Sequence, residues 1–126
     1  MKYFFPLLLM LCLAPATIAQ ATEVTCGATV LENIELETNL DCRDSNLVGL
    51  KIGADNVIID LNGYTIAGNE VAPAAIFGNG YSGIKIENGA IYGFQTGVYL
   101  RNARDISIEH IVLGHQPNDA IAIAQC

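Results

Sequence analysis

Four acidic residues recur along the chain at nearly regular intervals, each at the end of a short alternating segment. They are Glu37, Asp60, Glu87 and Glu109, with spacings of 23, 27 and 22 residues. If successive repeats stack as parallel strands about 4.8 Å apart, the four carboxylates form one column. Such close carboxylates repel one another, and Ca²⁺ accepts several carboxylate oxygens in a loose geometry. The spacing therefore defines a candidate calcium site.

The same acids have a plainer interpretation, which we favour. Asp and Glu beside corners often stay in solvent or accept hydrogen bonds from turn amides. Under this interpretation the column is a by-product of the repeat and binds no ion.

Two tyrosines, Tyr92 and Tyr99, are candidates for binding a glycan. Tyr92 follows Ile91, and Tyr99 lies between Val98 and Leu100. Because these apolar neighbours are predicted to face inward, both rings are predicted to face outward, where an aromatic ring can cover the apolar face of a sugar. The alternative, which we favour, is that the rings pack between coils or under a nearby turn.

The elements that carry these residues are short segments that align on one another. Asp55–Asp60, Ser82–Glu87 and Arg104–Glu109 each read small or polar, apolar, variable, apolar, acid, and Asn33–Glu37 is a weaker copy. Alternation of apolar residues is typical of half-buried strands. An internal period of 20 to 50 residues is the signature of a stacked repeat architecture. The pattern predicts one coil of a parallel β-helix per repeat.

The alternation also predicts which residues face inward. A first inward set comprises Ile34/Leu36, Val57/Ile59, Ile84/Ile86 and Ile106/Ile108, and a second comprises Val48/Leu50/Ile52, Ala75/Phe77, Val98/Leu100 and Ile121/Ile123. Asn62 and Asn88, each followed by glycine, are predicted to form sharp corners with positive φ. The fourth repeat has His110 there, so a different corner is expected.

The first residues have the character of a secretory signal peptide. Lys2 precedes an apolar run that is too short to span a bilayer, and Ala19–Ala21 offers a cleavage site. We predict a signal peptide at 1–21, an N-terminal cap with the first coil at 22–44, and further coils at 45–126. The predicted location is secreted or periplasmic.

Export favours disulfides, and the cysteines after residue 21 are Cys26, Cys42 and Cys126. Cys26 and Cys42 flank the first repeat and are predicted to pair. Cys126 is then left over, which suggests an intermolecular bridge, a free thiol or a lost partner. Because the sequence ends in an apolar strand, we expect either truncation or a homodimer that forms through the last coil or Cys126.

The charge of the chain narrows the classes of partner. The net charge is −7, and it becomes −8 once Lys2 is removed with the signal peptide. Nucleic acids and anionic lipids require clustered Lys and Arg, so neither is expected as a partner. No second apolar run is long enough for a membrane span.

Several segments resemble a known superfamily. Cys26–Val30, Asp41–Cys42 and Ala54–Gly68 are similar to the amino-terminal part of exported proteins of the pectin-lyase-like superfamily. The resemblance covers essentially the whole chain after residue 21. It implies an all-β fold: a right-handed, single-stranded parallel β-helix, here of about four coils with an N-terminal disulfide-linked cap. The superfamily contains lyases, hydrolases, epimerases and adhesins, so the resemblance implies the fold and leaves the activity open.

Two functional hypotheses follow. The first is an exported, non-catalytic module with a surface, matrix or glycan-binding role, whose partner is an acidic or neutral polysaccharide. The second is a fragment of a polysaccharide lyase, epimerase or hydrolase whose active groove lies on coils outside this chain. We favour the first because no recognisable catalytic motif is present.

Overall fold

The computed structural model of the protein describes residues 24–124. Within that range it is all-β, with no helix. The strands are β1 (Ala28–Val30), β2 (Ile34–Glu35), β3 (Leu40–Asp41), β4 (Leu50–Ile52), β5 (Ile58–Asp60), β6 (Thr65–Ala67), β7 (Ala74–Asn79), β8 (Lys85–Tyr92), β9 (Thr96–Arg101), β10 (Ser107–Leu113) and β11 (Ile121–Ala124).

Every strand pair is parallel, and the chain winds into a β-solenoid of about four turns, as the repeat predicts. One sheet has the order β1-β4-β7-β9-β11. The second sheet bends at a corner within each coil. Its first side contains β2, β5 and the beginnings of β8 and β10, and its second side contains β3, β6 and the ends of β8 and β10.

The core is a set of inward columns that run along the solenoid. On the second sheet Ile59 lies between Ile34 and Ile86, and Ile86 is followed by Ile108. Ile59 and Ile86 are both fully buried. Burying one such side chain contributes about 1.5 to 3 kcal/mol relative to leaving it exposed. The inward positions predicted for the aligned repeats are therefore confirmed for the central coils.

The phase of β7 differs from the prediction. Ile76, not Phe77, lies in register with Leu50 and Val98 and is fully buried. Phe77 lies in the outward column with Lys51 and Tyr99. The prediction of an inward Phe77 was wrong, whereas Ala75 is fully buried as predicted. Phe77 was misassigned because the run 74–77 is apolar at every position, so alternation alone cannot set its phase.

The corner at His110 also differs from the prediction. Its φ is 56°, close to the 53° of Asn62 and the 64° of Asn88. All three repeats therefore turn through the left-handed region at this corner. Histidine is one of the non-glycine residues that are enriched in that region, which explains why it can replace asparagine here.

The predicted disulfide between Cys26 and Cys42 is present and joins the residues before β1 to those after β3. Cys42 is fully buried, so the bridge is part of the core at this end. The signal peptide predicted at 1–21 and the unpaired Cys126 lie outside the described residues, and both stay predictions. Within residues 24–124 no helix has the length and apolarity that a bilayer span requires.

Removing the disulfide tests how far it stabilises the first coil. Serine at both Cys26 and Cys42 is expected to lower the free energy of unfolding by about 3 kcal/mol, the value for closing a loop of this size in the chain-entropy model. Urea unfolding measures the difference, with Cys126 changed to serine in both proteins so that no other disulfide can form. Equal unfolding midpoints would contradict the expectation.

The last described coil leaves its core column uncovered. Ile121 and Ile123 continue the inward columns of Val98 and Leu100, yet they are 40% and 44% exposed. Leu50, Ile76, Val98 and Leu100 are buried because the strands that carry them, β4, β7 and β9, have a neighbouring strand on both sides.

Candidate functional site

The acidic column exists, but its first member is not the predicted one. Asp60, Glu87 and Glu109 lie in register on neighbouring strands. The residue that pairs with Asp60 in the first coil is Glu35, and Glu37 lies two residues beyond it. The register prediction for Glu37 aligned Leu36 with Ile59, but in the structure Ile34 pairs with Ile59. The prediction was wrong because residues 34 and 36 are both apolar and each is followed by a glutamate, so the pattern fits either alignment.

A lysine lies among these acids. The Lys85 ammonium is 3.3 Å from a Glu87 carboxylate oxygen and 3.7 Å from one of Glu109. Lys85 donates a hydrogen bond to Glu87 and lies within the negative field of Glu109, so the pKa of Lys85 is raised. The pKa of Glu109 is lowered, first by the Ser107 hydroxyl that donates to it at 2.9 Å and then by Lys85. The protein thus supplies one cation to the column itself.

Asp60, another acid of the column, is engaged at a turn. Asp60 accepts a hydrogen bond from the Asn62 backbone N–H at 2.8 Å and another from the Asn88 side chain at 3.4 Å. This is the arrangement that the plainer interpretation describes. Among residues 24–124 no group of three or more His, Cys, Asp or Glu side chains is placed to hold a metal ion. Calcium binding stays a prediction.

The two candidate tyrosines lie on different sheets, so they cannot contribute to one site. Tyr99 is on β9 and packs edge-to-face against Phe77 of the preceding coil, with ring centroids 5.7 Å apart. That contact is the lateral packing that the alternative interpretation describes. Tyr99 also borders an open hollow of about 850 Å³ beside β11. Tyr92, at the end of β8, is 43% exposed.

Tyr92 borders a groove that crosses three coils, which we call the Tyr92 groove. Its volume is about 270 Å³, and it is lined by Asn39, Leu40, Asp41, Arg43, Thr65, Ala67 and Tyr92. The register explains the shape. Asp41, Ala67 and Tyr92 occupy one outward column, in coils one, two and three. Because alanine is small, a gap of about 10 Å, two strand spacings, is left between the coils on either side.

An arginine–carboxylate pair forms one wall of the Tyr92 groove. The Arg43 guanidinium donates two hydrogen bonds to Asp41, at 2.9 and 2.8 Å, and the Arg43 backbone N–H donates a third at 3.0 Å. The side-chain bonds from Arg43, followed by the backbone bond, lower the pKa of Asp41 to about 2. The carboxylate is therefore ionised at neutral pH, and two adjacent polar groups are held in one plane.

The opposite wall is the ring of Tyr92. A Cβ atom on Gly114 of the next coil would lie 2.5 Å from the Tyr92 Cδ1 atom, so the ring rests on a position where only glycine leaves room. Gly114 lies on one side of the Tyr92 ring, and Ala67 and the groove lie on the other side. Between the walls, the Asn39 side-chain oxygen accepts a hydrogen bond from the Thr65 N–H at 3.0 Å. That bond holds Asn39 against Thr65 in the part of the groove between the two walls.

Of the predicted site residues, only Tyr92 lies in this groove. Asn39, Asp41, Arg43 and Thr65 were not predicted as site residues. The sequence contains one signal, the oppositely charged pair Asp41 and Arg43 on either side of Cys42. Whether this pair belongs to a site depends on where Asp41 lies relative to Ala67 and Tyr92 in the next two coils, and no local pattern shows that.

A scan against models of protein families gives no match for this chain, and searches of curated proteins and of solved structures give none either.

Proposed function

We propose that this chain is an exported β-solenoid module that binds a glycan through the Tyr92 groove. The observation that carries the proposal is the arrangement of the half-exposed Tyr92 ring opposite the paired Asp41 and Arg43 side chains across the small Ala67. A flat apolar wall and a planar polar wall on either side of a small residue offer the two kinds of contact that a sugar unit makes.

The chemistry of each wall supports this proposal. A sugar ring has an apolar C–H face that an aromatic ring covers, and hydroxyl groups at its edge that both donate and accept hydrogen bonds. Asp41 accepts from hydroxyls, and the remaining Arg43 donors supply the complementary bonds. Small-molecule sites commonly combine apolar lining with a few placed polar groups. At about 270 Å³ the groove is of a size for one sugar unit of a longer chain.

The same contacts favour binding over acid–base catalysis in this groove. A carboxyl group that acts as a general acid must keep its proton near neutral pH, and an effective general base has a pKa near the working pH. The hydrogen bonds from Arg43 lower the pKa of Asp41 to about 2, far below that range. Asp41 is therefore suited to holding a hydroxyl group.

Location in an oxidising compartment is part of the proposal. The Cys26–Cys42 disulfide supports it, since such bridges persist in secreted and periplasmic proteins. A glycan-binding module in that compartment would meet polysaccharides of the cell surface or the surroundings.

Removing the Tyr92 ring tests the proposed function. Tyr92→Ala is expected to weaken retention by a bound glycan at least about tenfold, because a tyrosine at the centre of a binding site contributes about 2 kcal/mol or more when it is a hot spot, and about 1.4 kcal/mol is tenfold in affinity. Tyr92→Phe keeps the ring and is expected to retain most of the binding. The measurement is affinity electrophoresis of the disulfide-bonded protein through gels that contain a panel of polysaccharides.

Tyr99→Ala is the matched control, since it removes the same side chain from the other sheet and should leave retention unchanged. Thermal unfolding of each variant shows that the solenoid is intact. Equal retention of Tyr92→Ala and wild type would contradict the proposed site. A wild-type protein that no polysaccharide retards would contradict glycan binding itself.

A further inference from the structure

The charge state of the Tyr92 groove indicates which glycans it accepts. Its lining contains one cationic side chain, Arg43, and one anionic side chain, Asp41. Two guanidinium nitrogens of Arg43 already donate to Asp41, through both carboxylate oxygens. The positive charge of Arg43, which an acidic sugar would need, is therefore already neutralised by the Asp41 carboxylate.

The surroundings of this pair add negative charge. The hydrogen bonds to Asp41 raise the pKa of the Arg43 guanidinium, and the negative charge of Asp44 adds to that effect. Arg43, Asp41 and Asp44 therefore sum to one negative charge beside the groove. The whole chain has a net charge of −7, which repels a polyanion at longer range, although salt screens that part beyond about 8 Å.

The hydrogen-bonding groups of the groove match hydroxyls better than carboxylates. Asp41 only accepts, so it needs a donor on the ligand, and a sugar hydroxyl supplies one. The Asn39 oxygen is occupied by the Thr65 N–H, which leaves its amide N–H groups free to donate to a hydroxyl oxygen. The Thr65 hydroxyl both donates and accepts. A uronate carboxylate only accepts, and it would face the acceptor Asp41.

From the closed Arg43–Asp41 pair and this set of donors and acceptors, we infer that the Tyr92 groove selects neutral sugars and rejects uronate-bearing ones. The inference rests on the glycan binding proposed above and specifies its substrate class. The ligand is a neutral hexose or pentose unit whose hydroxyls bridge Asp41 and Arg43 while its C–H face covers Tyr92.

Uronate polymers and their carboxyl-reduced forms test this inference directly. Reduction converts each uronate into the neutral hexose with the same linkages, so the two members of a pair differ only at C6, where an anionic acceptor is replaced by a neutral hydroxymethyl group. Affinity electrophoresis of the wild-type protein is run with polygalacturonate, alginate and a glucuronan, each beside its reduced form and beside neutral glucan, mannan and xylan. Retention is expected with at least one neutral polymer and to be about tenfold weaker or absent with its uronate counterpart.

Stronger retention by uronate polymers than by any neutral polymer would overturn the inference and leave glycan binding supported. Retention by neither class would contradict the proposed function, and the inference with it. The two failures are therefore distinguishable in one experiment.

A charge-matched pair of variants tests the role of Asp41. Asp41→Asn releases the Arg43 guanidinium for a ligand carboxylate, and we expect it to increase uronate retention by about tenfold, since hydrogen bonds between charged groups are stronger than those between neutral ones. Asp105→Asn makes the same change of net charge at a corner with a φ of 55°, which asparagine tolerates. Thermal unfolding confirms that both variants fold. An equal increase in both variants, or none in Asp41→Asn, would overturn the inference.

Discussion

Gly93→Ala is expected to lower the free energy of unfolding by about 2 to 5 kcal/mol. Gly93 has a φ of 84°, a conformation that costs an L-residue about 1 to 2 kcal/mol. A Cβ atom there would also lie 2.6 Å from the backbone oxygen of Gly68 in the preceding coil. Because that oxygen belongs to the backbone, the two coils must separate, and overpacking of this kind costs about 1 to 3 kcal/mol more.

Gly63→Ala is the matched control for this prediction. Gly63 has nearly the same φ, 85°, but a Cβ atom there would meet nothing within 4 Å. Its expected cost is the conformational part alone, about 1 to 2 kcal/mol. Urea unfolding of both variants separates the two effects. If they lose equal stability, the close approach of the two coils at Gly68 and Gly93 is not a constraint on the fold.

The second large effect is expected at the centre of the core. Ile86→Ala should lower the free energy of unfolding by about 2 to 5 kcal/mol, the range for truncating a buried isoleucine to alanine. Ile86 is fully buried and lies between Ile59 and Ile108 in the same column. Neighbouring coils are held at a fixed strand spacing by their hydrogen bonds, so the cavity cannot close by collapse.

The comparison for Ile86 is the same substitution in the last described coil. Ile121 continues an inward column but is 40% exposed, so Ile121→Ala should cost less than about 1 kcal/mol. Chemical denaturation of the two variants gives the difference directly. Similar losses would mean that Ile121 is covered in solution, for instance by a second copy, and sedimentation of the wild-type protein would show that.

The proposed site depends on the stacking that these variants probe. Its polar wall belongs to coil one, its floor to coil two and its aromatic wall to coil three. A ligand that contacts both walls bridges coils that are not hydrogen-bonded to each other. Binding should therefore raise the melting temperature, since a ligand that binds only the folded state stabilises it by mass action.

Several parts of this architecture could be predicted from local patterns. The three aligned segments lie in the predicted register, with Ile58, Lys85 and Ser107 as direct neighbours. The alternation of Val57 and Ile59, and of Ile84 and Ile86, identifies buried residues. These features depend on the two-residue period of a strand, which is a property of neighbouring residues.

Where the pattern is weak, the prediction was wrong. The run 74–77 is uniformly apolar, and its phase is set by the ladders to β4 and β9. The first copy of the repeat is incomplete, and the ladder from Ile34 to Ile59 places Glu35 beside Asp60. At His110 the backbone conformation follows that of Asn62 and Asn88 in the neighbouring coils, although the side chain differs.

The sequence alone thus determines that the chain forms stacked parallel strands, that Cys26 pairs with Cys42, and that Tyr92 faces outward. Only the tertiary structure decides that Tyr92 faces Asp41 and Arg43 across Ala67. The physical reason is that neighbours across coils are about 25 residues apart in sequence. Which residues become neighbours depends on the hydrogen-bond register between coils. That register depends on the length and conformation of each whole coil, so it cannot be read from a short segment of sequence.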